Sequence, residues 1–393
     1  MTPAIGADAL GANAISAQDR AYLARALELA ARGMYTTDPN PRVGCVLVRG
    51  GAVLAEGWHE RAGEAHAEVA ALRAAGGPAA GATAYVTLEP CSHTGRTPPC
   101  ADALIAAGIR RVVCCSADPN PKVAGDGIRR LEAAGISVAV GALAGEARAL
   151  NPGFFSRFER GRPLIRLKLA MSLDARTAPA PSEGNGGRMW ISGEQSRADV
   201  QIWRARSSAI LTGAGTVRAD DPRLDVRWNY GPWVRQPLRV VLDPAQSCAP
   251  HAKVFAGGGA LVFVAPDAAR RSAARPSAPG AAPPFSVEVV PAVGRGLDLA
   301  AVVDCLTLRE VNELWVECGP RLAAAFLEAN LVDELILYVA PILLGADAPP
   351  LTALSGLAAK GLLPPLFEFA DVQRVGGDLR LLLTPRSAQP KEH

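Results

Sequence analysis

Histidine occurs only 5 times in 393 residues, and aromatic side chains make up 5% of the chain. Basic and acidic residues nearly cancel, 41 against 38, and no basic run with interleaved aromatics occurs. This argues against a dedicated nucleic-acid binder, which concentrates Lys and Arg in a patch or stripe. No uninterrupted apolar stretch approaches the roughly 18–20 residues of a membrane-spanning helix. The opening MTPAIGADALGANAISAQ has neither the basic nor the apolar region of a secretory signal. A cytoplasmic protein without nucleic-acid or membrane partners is expected. In that compartment the 8 cysteines are expected as buried thiols or metal ligands rather than disulfides. A G-x-G-x-x-G following a strand is also missing, so a Rossmann dinucleotide site has no support.

What is present divides in two. Residues 1–16 read as disordered. Ser16 and Asp19 make a capping box for a helix that Gly33 would stop. VGCVLV and AVLAEGW, joined through Gly50-Gly51, read as a β-hairpin. A helix in AHAEVAALRAAGG, a strand in TAYVTLE, a helix from Thr97 to Ala107 and a strand in RRVVCCS follow, then a helix in GIRRLEAAG and a strand in ISVAVG. Alternation with short Gly-marked turns predicts a mostly parallel sheet covered on both faces over residues 17–150. RFERGRP reads as a hinge, and residues 163–386 as a second α/β series, with a helix capped by Ser192 and Gln195 and a surface loop between Pro266 and Pro284.

The first half carries His66-Ala67-Glu68 at a predicted helix start. Cys91 follows a strand and Pro90, and Cys100 enters the next helix behind Pro98-Pro99. One imidazole and two thiolates leave the fourth position of a zinc ion open, as in catalytic sites, and a water bound there would have its pKa lowered to about 7. Glu68 is then the proton carrier, the arrangement found in zinc deaminases. A closed structural site with His93 as fourth ligand and a disulfide are the competing readings; the closed site leaves Glu68 without a role.

HAEVAAL, AYVTLEPCSHTGRTPPCADALIAAGI and DPNPKVAGDGI resemble the deaminase half of the bifunctional deaminase/reductase family of riboflavin biosynthesis. That family has the longer spacing between its two cysteines. The resemblance implies a cytidine-deaminase-like three-layer α/β/α domain acting on a diaminohydroxy-phosphoribosylaminopyrimidine. Asn40, Arg96, Asp118 and Asn120 would line its pocket. Their chemistry suits that position, since amide and carboxyl groups can read a pyrimidine edge and Arg96 suits a phosphate.

In the second half LKLAMSLDART, ILTGAGTVRADDPRL and LWVECGPRLAAAFL each end a strand in a turn; alone they support only a phosphate-bearing ligand at the strand ends. Together with MWISGEQSRADVQIWRARS they resemble the reductase half of the same family. This implies a dihydrofolate-reductase-like domain, NADPH as cofactor, and reduction of the ribosyl group to ribityl. Cofactor positions would be Ala170, Trp190, Thr216, Asp220 and Gly319, Pro320, Arg321, Leu322, Ala323, Ala324 and Ala325. Substrate positions would be Lys168, Asp174, Arg188, Arg204, Leu224, Arg227 and Glu317. The chain departs from the family in a longer loop over 178–189. It also departs at Arg188, where a serine is usual and Ser182 could substitute, at Ala175 in a glycine position, and at Pro244 in a serine position. A homo-oligomer, dimer or tetramer, is expected. A nucleic-acid-editing deaminase with an accessory domain, or a zinc-stabilised binding protein in which Glu68→Gln is silent, are the alternatives.

Overall fold

The computed structural model describes residues 15–93, 98–121, 123–180, 189–227, 234–273, 284–357 and 366–386. The segment 1–14, read as disordered, lies outside them, as does Thr97, the expected start of the third helix. The chain forms two compact units, Met1–Gly161 and Arg162–His393.

In the first unit α1 (Ala17–Ala31) precedes the hairpin β1 (Gly44–Arg49) and β2 (Ala52–Trp58). The chain continues through α2 (Ala67–Ala74), β3 (Thr83–Val86), α3 (Cys100–Ala106), β4 (Arg111–Cys114), α4 (Asp126–Ala133) and β5 (Ser137–Val140). Two short helices, α5 (Ala144–Leu150) and α6 (Pro152–Glu159), close the unit. The sheet runs β2-β1-β3-β4-β5. Its β3–β4 and β4–β5 pairings are parallel, but β1 is antiparallel to both β2 and β3, so the sheet is mixed rather than mostly parallel. Alternation along each strand sorts side chains to opposite faces. Cys45, Leu47, Ala84, Val86 and Val112 pack under α2, α3 and α4 through Ala71, Leu104 and Leu131. Val46, Val48, Tyr85 and Val113 pack against α1 and α5 through Leu23, Leu29 and Ala147.

The Ser16–Asp19 capping box is formed, and Asp19 has a second role. Its buried carboxylate also accepts hydrogen bonds from Tyr85 at 2.7 Å and Arg111 at 2.8 Å. Burial opposes its ionisation, but Arg111 and the Ser16 amide prevail and hold it well below the usual carboxylate range. The helix start is thus tied to β3 and β4. Between β2 and α2 the contact is closer still. A Cβ at Gly57 would stand 2.3 Å from the Ala71 nitrogen, so only glycine lets α2 lie on the strand here. The third helix starts at Cys100 with Pro99 as its N-cap, three residues later than the Thr97 start expected.

The second unit is a nine-stranded sheet flanked by helices. In chain order it has β6 (Leu164–Ser172), α7 (Glu194–Arg206), β7 (Ala209–Gly213), α8 (Ala214–Asp220), β8 (Leu238–Leu242), β9 (Ala260–Val264), α9 (Pro266–Ala273) and β10 (Phe285–Val289). A small ribbon β11 (Ala292–Val293) and β12 (Gly296–Leu297) leads to α10 (Leu299–Leu308), β13 (Glu313–Glu317), α11 (Pro320–Glu328), β14 (Glu334–Ala340), β15 (Phe367–Val375) and β16 (Asp378–Pro385). The order is β10-β9-β8-β7-β13-β6-β14-β16-β15, parallel except where β16 joins β14 and β15. The chain steps from β6 past one position to β7, and β13 later returns into that gap. This puts the ends of β7, β13 and β6 side by side, the place where open α/β sheets bind ligands.

Three expectations fail locally. The Pro266 segment begins as helix α9, because proline suits a first helical turn, where its missing N–H is not needed. Residues 214–220, read as a turn and acidic segment, form α8. The Ser192–Gln195 capping box is not formed: α7 is capped at Gly193, whose amide reaches the distant Asp378 carboxylate at 2.7 Å. Ala175 takes the left-handed backbone (φ 56°) that its sequence position would give a glycine.

Two substitutions test these ties. Asp19→Ala should destabilise the first unit by about 3 kcal/mol through loss of a buried partner and a cap, read as faster hydrogen exchange in α1 and β4. Because its native pKa is depressed, the Asp19 contribution is present at neutral pH and lost as pH falls through the carboxylate range. Unchanged protection would refute the tie. Ala175→Gly should stabilise the second unit by roughly 0.5–1 kcal/mol by relieving left-handed backbone strain, seen as a raised denaturant midpoint; a lowered midpoint would contradict it.

Candidate active sites

His66 is the N-cap of α2 and makes no side-chain cap, so its imidazole is left to turn toward the cysteines. Its Nδ1 lies 3.6 Å from Cys91 Sγ and 3.3 Å from Cys100 Sγ. Zn–S bonds of about 2.3 Å and Zn–N bonds of about 2.0 Å in a tetrahedron place adjacent donors about 3.5–3.8 Å apart. The three atoms therefore fit one zinc ion. Among the described residues no other group of three or more His, Cys, Asp and Glu side chains has metal-holding geometry, and the exposed His93 is outside this one. The four-ligand alternative loses its support, and all eight cysteines are unpaired.

Position at the start of α3 lets the Cys100 amide donate to Cys91 Sγ at 3.4 Å. The Cys91 thiol is drawn below the usual thiol range, first by the Cys100 thiol and against burial, with His66 adding to the shift. Glu68, buried in the first turn of α2, is pushed up to about 7 by burial and then by Cys91. A carboxyl in this state can both take and give a proton near neutrality.

Around this centre Asp118 is buried, with Oδ1 accepting the Asn120 amide at 2.8 Å. Burial, joined by Glu89 and Cys91, pushes it up to about 7. Asn40 is oriented by a residue that no sequence motif singled out. His59 packs edge-on against His66 with ring centroids 5.2 Å apart. Its Nδ1 faces the Ala65 carbonyl at 3.0 Å, which places the proton there and leaves Nε2 to accept from Asn40 at 3.1 Å. Its rarity among five histidines was the signal available. Arg96 lies outside the described residues.

In the second unit register pairs Lys168 with Glu317 across β6 and β13. Glu317 takes a bidentate bond from Arg204 on α7 (2.6 and 2.8 Å) and one from Trp315 Nε1 at 2.7 Å. Burial works against the charge, but Arg204 and Lys168 hold Glu317 down at about 2. Burial pushes Lys168 below the usual lysine range, and Glu317 only partly offsets it. Arg204 also donates to the Asp225 carbonyl at 3.1 Å, while the Asp225 carboxylate holds Arg223 and Arg227, each at 2.7 Å. Three arginines thus gather around Asp225, a residue no motif announced; Arg204 and Arg227 are the two expected at the substrate.

Of the expected cofactor positions, Thr216 lies beside the start of the run from Gly319 to Ala325. A Cβ on Gly319 would lie 3.9 Å from Thr216 Oγ1, and one on Gly213 would lie 3.2 Å from a Leu322 methyl. The first turns of α8 and α11 are therefore neighbours. α11 starts at Pro320 after Gly319 with no side-chain cap, leaving its amides and positive dipole end to phosphate groups, which suits NADPH. Ala323 and Ala324 point into the core, so any contact from them is through the backbone. Asp220 ends α8, and Ala170 sits opposite Tyr338 in β14. Trp190 is half exposed beneath Arg197, 5.1 Å from its ring centroid. Leu224 is buried, with a left-handed backbone. Asp174 accepts from Ser172 at 2.5 Å and from the Leu344 and Gly345 amides at 3.1 and 2.8 Å, fastening that turn. Arg188 and Ser182 lie outside the described residues.

The family model of the RibD C-terminal domain matches residues 163–381, and that of the cytidine and deoxycytidylate deaminase zinc-binding region matches residues 16–116. The chain is 49% identical to riboflavin biosynthesis protein RibD of Escherichia coli (strain K12), over 93% of this chain and 99% of that one. The chain belongs to the RibD family. A RibD structure from Acinetobacter baumannii superposes with a TM-score of 0.82 at 40% identity, covering 94% of this chain and 99% of the other. A diaminohydroxyphosphoribosylaminopyrimidine deaminase/5-amino-6-(5-phosphoribosylamino)uracil reductase from Thermotoga maritima gives 0.77 at 31% identity, with the same coverage of 94% and 99%. As a RibD, the chain is a bifunctional enzyme of riboflavin biosynthesis, a zinc deaminase fused to an NADPH-dependent reductase. This sets aside the nucleic-acid-editing and non-catalytic readings.

Cys91→Ser should weaken zinc binding by about 100-fold or more, measured as metal retained after dialysis against a chelator. Stripping zinc should stop ammonia release and leave NADPH oxidation intact. Full zinc retention in the variant would exclude this ligand set.

Proposed function

We propose that the first unit deaminates a diaminohydroxy-phosphoribosylaminopyrimidine to the aminouracil and that the second reduces its ribosyl group to ribityl. The observation that carries the first half is a buried carboxyl, Glu68, two residues from the His66 ligand of a three-donor zinc centre. The activities named for the Thermotoga relative supply the substrates.

Zinc supplies a water molecule made acidic at neutral pH. Glu68 accepts a proton as water adds to the amine-bearing carbon and passes it to the ring nitrogen; it then takes the second proton from the new hydroxyl group and gives it to the amine, which departs as ammonia as the carbonyl forms. Asn40, held by His59, and Asp118 with Asn120 present the donors and acceptors that fix the pyrimidine. Arg96 meets the phosphate.

NADPH, when bound, would supply a hydride to the sugar C1′ as the bond from that carbon to the ring oxygen breaks. Lys168, its ammonium destabilised by burial and its register partner on β13 being Glu317, is the proton donor to the freed ring oxygen. Arg204 and Arg227 take the phosphate, and the start of α11 holds the cofactor phosphates. The domain limits 17–150 and 163–386 describe the two functional parts. A homo-oligomer is supported by Phe369, Val372 and Leu379, exposed on the last hairpin. Eight unpaired thiols support a cytoplasmic location.

Glu68→Gln should cut deamination by roughly 10³-fold while zinc content and reductase rate stay unchanged. Lys168→Met should lower reduction by about 10²-fold or more while ammonia release is unaffected. Separate assays of ammonia and NADPH on each variant decide both; a variant that lost both activities would refute the division of labour.

A further inference from the structure

Glu89 stands directly before Pro90 and Cys91, is 3% exposed, and belongs to none of the catalytic or substrate groups above. Its carboxylate is saturated by backbone. Oε1 accepts from the amides of Gly127 at 3.0 Å and Ile128 at 3.2 Å. Oε2 accepts from Asp118 at 3.1 Å and Gly125 at 3.0 Å. Its own amide donates to the Ser116 carbonyl at 2.9 Å. Five hydrogen bonds thus join one residue to both ends of the loop that carries Asp118 and Asn120.

The contact is close as well as polar. A Cβ at Gly127 would fall 1.9 Å from the Pro90 carbonyl oxygen, so the start of α4 presses directly on the segment leading to Cys91. Gly125, the N-cap of α4, takes a left-handed backbone (φ 77°) and offers no side chain, so Glu89 serves as a cap from another part of the chain.

We propose that Glu89 is a positioning residue of the deaminase, holding the 118–128 loop at a set distance from Cys91 so that Asp118 and Asn120 meet the pyrimidine bound at the metal centre. It rests on the assignment of Asp118 and Asn120 to the substrate. The chemistry of the clamp is specific to a carboxylate. A glutamine keeps the shape but has one acceptor oxygen; its NH2 group would face two backbone N–H groups, releasing one end of the loop.

Glu89→Gln should therefore raise the deaminase KM about tenfold, the effect of a lost buried hydrogen bond, with kcat changed much less. Zinc content and NADPH oxidation should be unchanged. Amides of Gly125, Gly127 and Ile128 should exchange faster while those of α1 and β1 keep their protection. Gly127→Ala, which pushes the same loop from the opposite side, should show the same KM shift. Asn120→Ala serves as the reference. If Glu89 acts through the loop, the Glu89→Gln/Asn120→Ala double variant should be little worse than Asn120→Ala alone. A raised KM for Asn120→Ala beside an unchanged KM for Glu89→Gln, or strictly additive effects, would overturn the role of Glu89. An unchanged KM for Asn120→Ala would instead overturn the substrate assignment of the loop, and the proposal with it.

Discussion

The deaminase centre exists because α2 lies against β2 without a side chain between them. With Gly57 offering no Cβ to the Ala71 nitrogen 2.3 Å away from where one would stand, the helix start settles at a depth that no other residue permits. That depth places His66 Nδ1 within 3.6 Å of both thiols and buries Glu68 behind it. The zinc ligands come from the start of α2, the segment after β3 and the start of α3, so their spacing is a property of helix-on-sheet packing. Any bulk at Gly57 would move the imidazole and the proton carrier together, since both ride on the first turn of α2.

Both catalytic units place charge in their interiors and compensate it in similar ways. Glu317 is surrounded by a guanidinium fork, an indole N–H and a lysine, and Glu89 by four peptide N–H groups. A buried ion pair or satisfied carboxylate adds little net stability compared with an apolar replacement, yet removing one partner is strongly destabilising. Such groups are therefore weak as glue and strong as geometric constraints. They tie a neighbouring segment, the one carrying Asp118 and Asn120 or the end of β13, to one arrangement around a site. Asp19 does the same for the fold itself, fastening the start of α1 to β3 and β4.

The zinc triad and Glu68 were legible because each sits at a strand–helix junction that announces itself locally, by His-x-Glu before a helical period and by prolines around the cysteines. The capping box at Ser16 was legible for the same reason. What escaped were partners distant in the chain. Gly193 is capped by Asp378 rather than by its neighbours. His59 orients Asn40 from 19 residues further along the chain. Asp225 collects three arginines through contacts that depend on where α7 and the 223–227 segment come to rest. Lys168 and Glu317 were assigned by resemblance, and only the strand order, in which β13 returns beside β6, explains why residues so far apart in sequence face each other. Propensity failed where proline served as a helix start instead of a break, at Pro266.

Parallel pairing gives both sites their location. β3 and β4 are adjacent and parallel, so the segments leaving their C-terminal ends, 87–91 and 115–120, emerge on the same side and meet as the Glu89–Ser116 and Glu89–Asp118 bonds show. β6, β13 and β7 repeat the logic in the second unit, bringing Lys168, Glu317 and the Gly213–Thr216 turn together. An antiparallel neighbour would send one of each pair to the opposite edge. In the first sheet β1 does run antiparallel beside β3, and its C-terminal end leads to the Gly50-Gly51 turn of the hairpin, away from the cysteines. The mixed sheet thereby confines the metal ligands and substrate loop to one edge and leaves the other to plain turns.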